Sequence, residues 1–189
     1  MEEFEETIKQ YLEEVTKDLI ENISEKILDN LQDHIYNDMY QEDNKIYIPS
    51  KSGRPSEQFL NAFELSQLRK EGKKFVKELL YNTDKMETWN ETYSYVTDDG
   101  EERELIVGIH QTASGRDLRN ALFNILRKRE RFDNKPRVDF WERFLSDIQK
   151  KFNGWVKGYL DDKGISAEVY GNLDLSEFST SSINPEDIF

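Results

Sequence analysis

The chain has 189 residues, 39 acidic against 26 basic, and a net charge of −13, a size that holds one domain with a real core more readily than two. Cysteine is absent and histidine occurs only as His34 and His110, which excludes disulfides, thiolate nucleophiles, zinc–thiolate sites and a histidine-rich metal centre. No apolar run approaches the roughly 18 residues of a membrane helix, and MEEFEE lacks the basic and apolar regions of a signal peptide, so an intracellular or particle-assembled protein is expected, with no membrane partner.

Phe4, Ile8, Leu12, Val15, Leu19, Ile23, Ile27, Leu31 and Ile35 recur at three- or four-residue steps, with acidic residues on the other faces. This predicts a long amphipathic helix within 1–40. Continuous from 3 to 38, it would extend about 54 Å, longer than a domain of this size needs, so part of it is expected to project or to pack on another subunit. Lys45 to Ile48 reads as a short extended piece, and Pro49 to Pro55 as a loop. Phe63, Leu65 and, one slot late, Leu68 alternate as a half-buried strand; Lys70-Glu71-Gly72 supplies a turn, and Phe75, Leu79 and Tyr81 return on one side. After a second turn at Asn82 to Lys85, Thr92 to Val96 and Glu102 to Ile109 flank Asp98-Asp99-Gly100 as another hairpin, with Leu105, Val107 and Ile109 facing inward.

Ser114 is the expected cap of the next helix, with Asp117 three positions on; Leu118, Leu122, Ile125 and Leu126 give that helix an apolar face. Pro136 suits the first turn of a last helix, along which Val138, Trp141, Phe144, Leu145, Ile148, Phe152, Trp155 and Tyr159 form a stripe that Gly164 stops. From Gly171 onward the sequence is acidic, Ser-rich and without period. The expected fold is therefore α+β: a long N-terminal amphipathic helix, an antiparallel four-stranded sheet of two hairpins, two C-terminal helices and a flexible C-terminal tail. Residues 1–170 are expected to form a single domain, with the helix in 1–40, the sheet in 46–110 and the helices in 114–163; 171–189 are the tail.

Charge divides unevenly: residues 1–44 carry −11, 45–160 carry +4 and 161–189 carry −6. Acidic ends around a mildly basic middle suit contact between unlike surfaces, including those of neighbouring copies, and do not suit sequence-specific gripping of nucleic acid. The densest basic stretch holds Arg127, Lys128, Arg129 and Arg131, partly explained by the dipole at a helix C-terminus. Glu71-Gly72-Lys73 is the one nuclease-like fragment, since a metal-dependent nuclease would place a metal ligand and a lysine beside the attacking water, but it falls where a turn is expected. GRDLR lacks the spacing of a phosphate-binding Gly loop. No catalytic residue, metal site or cofactor is assigned, and function is sought in surfaces.

The order of an acidic N-terminal helix, an Arg-containing loop leading into FLNAFE, strands ending near NTDKM, then GRDLRNALFNIL and a closing helix with FWERF and FNGWV resembles the tail-completion or head–tail joining proteins of long-tailed bacteriophages. The resemblance covers roughly residues 1–160. At the sheet entry, where many members carry an Arg-Thr-Gly-x-Leu signature, Arg54-Pro55-Ser56-Glu57-Gln58-Phe59-Leu60 has Pro-Ser for Thr-Gly and one extra residue. The resemblance implies a non-enzymatic virion part of the neck, assembled in the bacterial host cytoplasm as a ring of about six copies, a count taken from the family and not from this chain's residues. Its partners would be further copies of itself, the head–tail connector or stopper, and the tail tube or tail terminator, with DNA passing through the ring. Carried over, Arg54, Phe59 and Phe63 would hold the loop to the sheet, and Arg116 and Arg119 would open the helix beside it. Trp141 and Trp155, together with Arg127, Lys128, Arg129 and Arg131, complete the candidate interface. Two alternatives from other classes are a non-catalytic acidic regulatory protein that binds a protein partner, and the metal-dependent nuclease.

Overall fold

Helix α1 (Glu2–Ile35) runs for 34 residues, as the apolar steps require, and passes into a π-helical turn at Tyr36–Tyr40. The computed structural model describes residues 2–40, 50–51, 54–55, 58–112, 114–127 and 140–170. After α1 come β1 (Ser50–Lys51), β2 (Arg54–Pro55), α2 (Gln58–Asn61), β3 (Phe63–Leu65), β4 (Arg69–Glu71), β5 (Lys74–Val76) and β6 (Leu79–Tyr81). A 3-10 turn (Thr83–Lys85), β7 (Trp89–Val96), β8 (Glu102–Ile109), α3 (Arg119–Arg127) and α4 (Phe140–Asp162) follow. The mixed α+β class and its element order stand as the sequence reads. The extended piece at 45–48 and the acidic tail lie outside the described residues.

Contacts group the described residues into two compact units, one holding α1, Phe63–Leu80 and residues 140–170, the other holding the described residues of 36–62 and of 81–127. In the first unit α1 and α4 pack antiparallel. His34 meets Asp147 at 3.2 Å and Asp18 meets Lys163 at 3.5 Å, so sixteen residues back along one helix match sixteen forward along the other. Ile23, Leu31 and Ile35 from α1 are buried, as are Phe140, Trp141, Phe144, Ile148 and Tyr159 from α4, and Phe63 from β3. Each such side chain contributes about 1.5–3 kcal/mol on burial. Because α4 ends level with Asp18, about the first four turns of α1 extend past it.

The strand ribbon from Phe63 to Tyr81 pairs β3 with β6 and β4 with β5. Ser66 donates its N–H to the Glu78 carbonyl at 2.8 Å, while Arg69 stands opposite Val76. Gln67 and Leu68 thus face Lys77 alone, two residues against one, which is a β-bulge and the reason the apolar alternation skips a slot before Leu68. Lys77 is nearly buried and ion-paired with Glu21 of α1. The turn itself is Gly72-Lys73 rather than Lys70-Glu71-Gly72, since Glu71 pairs with Lys74. Gly72 has φ +61° and Lys73 does not share the positive φ, the II′ pattern that admits glycine first.

In the second unit β1 and β2 pair antiparallel inside the stretch read as a loop, Ser50 opposite Pro55 and Lys51 opposite Arg54. Phe59, Met39, Met86, Ala62 and Leu122 are buried. Tyr81 sets its ring edge on Phe59 at 5.9 Å and tilts against Phe123 at 5.8 Å. β7 and β8 pair over eight residues, from Trp89 opposite Ile109 to Val96 opposite Glu102.

Among the described residues the strands do not merge into the single four-stranded sheet expected, and every pairing is two-stranded. The cause lies between β6 and β7. Asn82 accepts the Asp84 N–H at 3.0 Å to start the 3-10 turn, and Met86 then enters the core at 1% exposure, so the chain turns away instead of pairing back. The expected inward face of β8 is also corrected, because Leu105 is 53% exposed.

Candidate interaction surfaces

The root of the β7–β8 ribbon is a tight backbone crossing that fixes its orientation on α3. His110 adopts φ +54°, and the reversal brings the Gln111 carbonyl over Gly108, so close that a Cβ there would lie 2.2 Å from the oxygen. The loop closes through Thr112 N–H to the Arg116 carbonyl and Leu118 N–H to the His110 carbonyl, both 2.8 Å. Asp117 caps α3 by accepting the Arg119 N–H at 2.9 Å, whereas Ser114, the expected cap, pairs its hydroxyl with Thr112. The competing bond is local: the Gln111–Asp117 bridge delivers Asp117, not Ser114, to the first turn.

Arg119 ties this root together. Its guanidinium meets Asp117 at 2.8 Å and donates to the carbonyls of Met86 (2.9 Å) and Thr83 (3.3 Å), while Tyr81 donates to the Arg119 carbonyl at 3.0 Å. The Arg119 hydrogen bonds hold the Asp117 carboxyl below its usual range, and burial raises the Tyr81 phenol. His110 is 6% exposed, packs edge-on to Trp89 and bonds through Nδ1 to the Glu87 carbonyl; burial lowers its pKa, partly offset by that carbonyl. It is a structural group that favours the neutral ring.

Beyond this root the ribbon is bare. Tyr93, Tyr95 and Leu105 share one face of the ladder and are each about half exposed, and Val96 and Ile106 are exposed on the other face. No third strand joins β7 or β8 among the described residues.

In the first unit, the part of α1 beyond α4 leaves Phe4 70% and Leu12 53% exposed, with Ile8 and Tyr11 beside them. The β4–β5 hairpin packs on one flank of this stretch through Lys70 to Glu13 (2.8 Å) and Lys17 over the Phe75 ring (5.5 Å). The Lys70 bond holds the Glu13 carboxyl below its ordinary pKa. Between helix and hairpin lies an open groove of about 760 Å³ lined by Lys9, Leu12, Glu13, Lys73, Lys74 and Phe75 among others. Lys9, Lys73 and Lys74 have no hydrogen-bond or ion-pair partner among the described residues. Nothing in sequence spacing signals this cluster, because residues some sixty positions apart meet only through the hairpin's packing.

The residues singled out from sequence fall into different settings. Phe59, Phe63 and Trp141 are enclosed in the chain's own core and do not face outward; Trp155 is half-buried on α4. Arg116 is exposed in the loop before α3, and Arg119 is the first residue of α3 and the tie described above. Arg54 lies in β2 and Arg127 ends α3, while Lys128, Arg129 and Arg131 lie outside the described residues. Glu71-Gly72-Lys73 sits at the hairpin tip, with Glu71 held by Arg69 at 2.7 Å. Among the described residues no three His, Asp or Glu side chains gather as metal ligands would, and no helix is long and apolar enough to cross a membrane.

Compared with protein-family models, curated proteins and solved structures, the chain matches none of them.

Proposed function

We propose that this chain is a virion part of the phage neck, acting by shape and contact rather than by reaction. It joins the head connector or stopper to the tail tube or tail terminator as a ring of its own copies. The β7–β8 ribbon carries the reading. Its eight-pair ladder stands without a third strand among the described residues and holds Tyr93, Tyr95 and Leu105 about half exposed on one face. A lone two-stranded ribbon is marginal in water, and an apolar face of this kind marks a contact that a neighbour covers. A head-to-tail repeat of such a contact closes into a ring when its rotation divides a full turn.

Two further features support it. The first turns of α1 expose Phe4, Ile8, Tyr11 and Leu12 on a helix whose later turns bury the same stripe. The acidic first 44 residues and the basic run from Arg127 to Arg137 are complementary charges that would set the register between neighbouring copies. The test is joining of filled heads to preformed tails in vitro. Leu105→Asp and Tyr93→Asp place charge on an already exposed face, so folding is retained and checked by circular dichroism. Joining is expected to fall at least about tenfold, since each charge costs roughly what one apolar contact contributes. Joining at the unaltered rate would overturn the proposal.

A further inference from the structure

The lysine-lined groove between α1 and the β4–β5 hairpin reverses the sign of its surroundings. Around it the first helix carries Glu2, Glu3, Glu5 and Glu6, and the chain as a whole is at −13. Glu13, the groove's own carboxylate, is already engaged by Lys70 and Lys17. Lys9, Lys73 and Lys74 are left facing an apolar floor made by Leu12 and Phe75, so the groove suits a peptide that alternates carboxylates with apolar side chains.

We infer that residues 171–181 of this chain seat in that groove within the same copy. The segment holds Asp174 and Glu177 with no lysine or arginine, and Leu173, Leu175 and Phe178 interleave with these two carboxylates. The path also fits. α4 runs toward the N-terminal end of α1 and finishes beside Asp18, and Gly164 at φ +72° with the Ile165 N–H on the Leu160 carbonyl closes the helix there. From Asp18 to Lys9 along α1 is about 13.5 Å, whereas the residues from Lys163 to Gly171 reach up to about 26 Å when extended. Residues 165–170 already run without helix, with Ile165, Ala167 and Val169 half-buried and the residues between them exposed. The acidic first turns of α1 repel the segment elsewhere, so the three lysines choose its place. The inference stands apart from the neck reading, and neither test bears on the other.

A zero-length carbodiimide crosslink decides it, because the reagent joins a lysine to a carboxylate only when the two are in contact. Full-length chain labelled with nitrogen-15 is mixed in equal amount with unlabelled chain, crosslinked at low concentration, digested and read by mass spectrometry. The expected result is links from Lys9, Lys73 or Lys74 to Asp174 or Glu177 within single-isotope peptides. The double variant Lys73→Glu, Lys74→Glu should lower the yield of the remaining Lys9 links roughly tenfold. Adding Asp174→Lys and Glu177→Lys to it should restore links with the charges exchanged. Mixed-isotope links would overturn the inference in favour of a neighbouring copy's segment. Absence of these links, or a Lys9 yield indifferent to the reversal of Lys73 and Lys74, would overturn the groove as the seat of the segment.

Discussion

The same substitution, glycine to alanine, should act with opposite sign at two positions of this chain. At Gly108 an added Cβ meets the Gln111 oxygen at 2.2 Å and the carbonyl carbons of Gln111 and Thr112 at 2.9 Å. All three are backbone atoms, so no side chain can rotate away. The turn at His110 must lift, which strains the Leu118 N–H bond to the His110 carbonyl and the Gln111–Asp117 bridge. Overpacking and roughly one lost hydrogen bond together cost about 3 kcal/mol. At a urea slope of about 2 kcal/mol per molar, the midpoint should fall by about 1.5 M. Gly154 lies inside α4 with nothing within 4 Å of a Cβ, so alanine there should stabilise by about 0.8 kcal/mol through helix propensity alone. Urea titrations of the two variants beside the parent, followed by circular dichroism and tryptophan fluorescence, separate the cases. Equal midpoints for parent and Gly108→Ala would refute the close crossing at the ribbon root.

Asn30 is 9% exposed on α1 and its Oδ1 has no hydrogen-bond partner among the described residues, so Asn30→Leu should raise stability by about 1 kcal/mol; a loss in the same urea titration would show that a partner exists. Removing the Arg119 guanidinium with Arg119→Met frees Asp117 and two carbonyls and should cost about 2 kcal/mol, with hydrogen exchange at the Leu118 amide rising first. His110 has a folded pKa below its ordinary 6.5, so the unfolded chain binds more protons as the pH falls through that region. Its contribution is present above about pH 6.5 and declines below it. His110→Asn, which tolerates the positive φ, should flatten the slope of stability between pH 7 and pH 5, and an unchanged slope would assign the effect elsewhere.

Periodicity made α1, α3 and α4 legible, because one amphipathic stripe dominates each, whereas the single turn of α2 is too short to show one. The α4 stripe put Trp141, Phe144, Ile148 and Tyr159 on one face, and all four are buried, which takes Trp141 out of the expected interface. The second hairpin was legible from Asp99-Gly100, where Gly100 does take φ +84°. The alternation of Leu105, Val107 and Ile109 misled, since a strand pattern says which residues share a face and not whether that face is covered. Likewise Ser114 and Asp117 are both good caps in composition, and the choice depends on a bridge from Gln111 that spacing does not encode. The lysine groove was illegible for the same reason: Lys9 and the Gly72 turn are joined by packing of a bulged ribbon on α1, through Lys77 and Glu21.

The most direct measurement is quantitative mass spectrometry of purified, density-banded phage particles that carry this chain, made with and without it. The neck proposal expects the chain in the finished particles at about six copies each, the ring of the family it resembles, and full heads separated from complete tails when it is missing. Particles that join, band and infect normally while lacking the chain would contradict it.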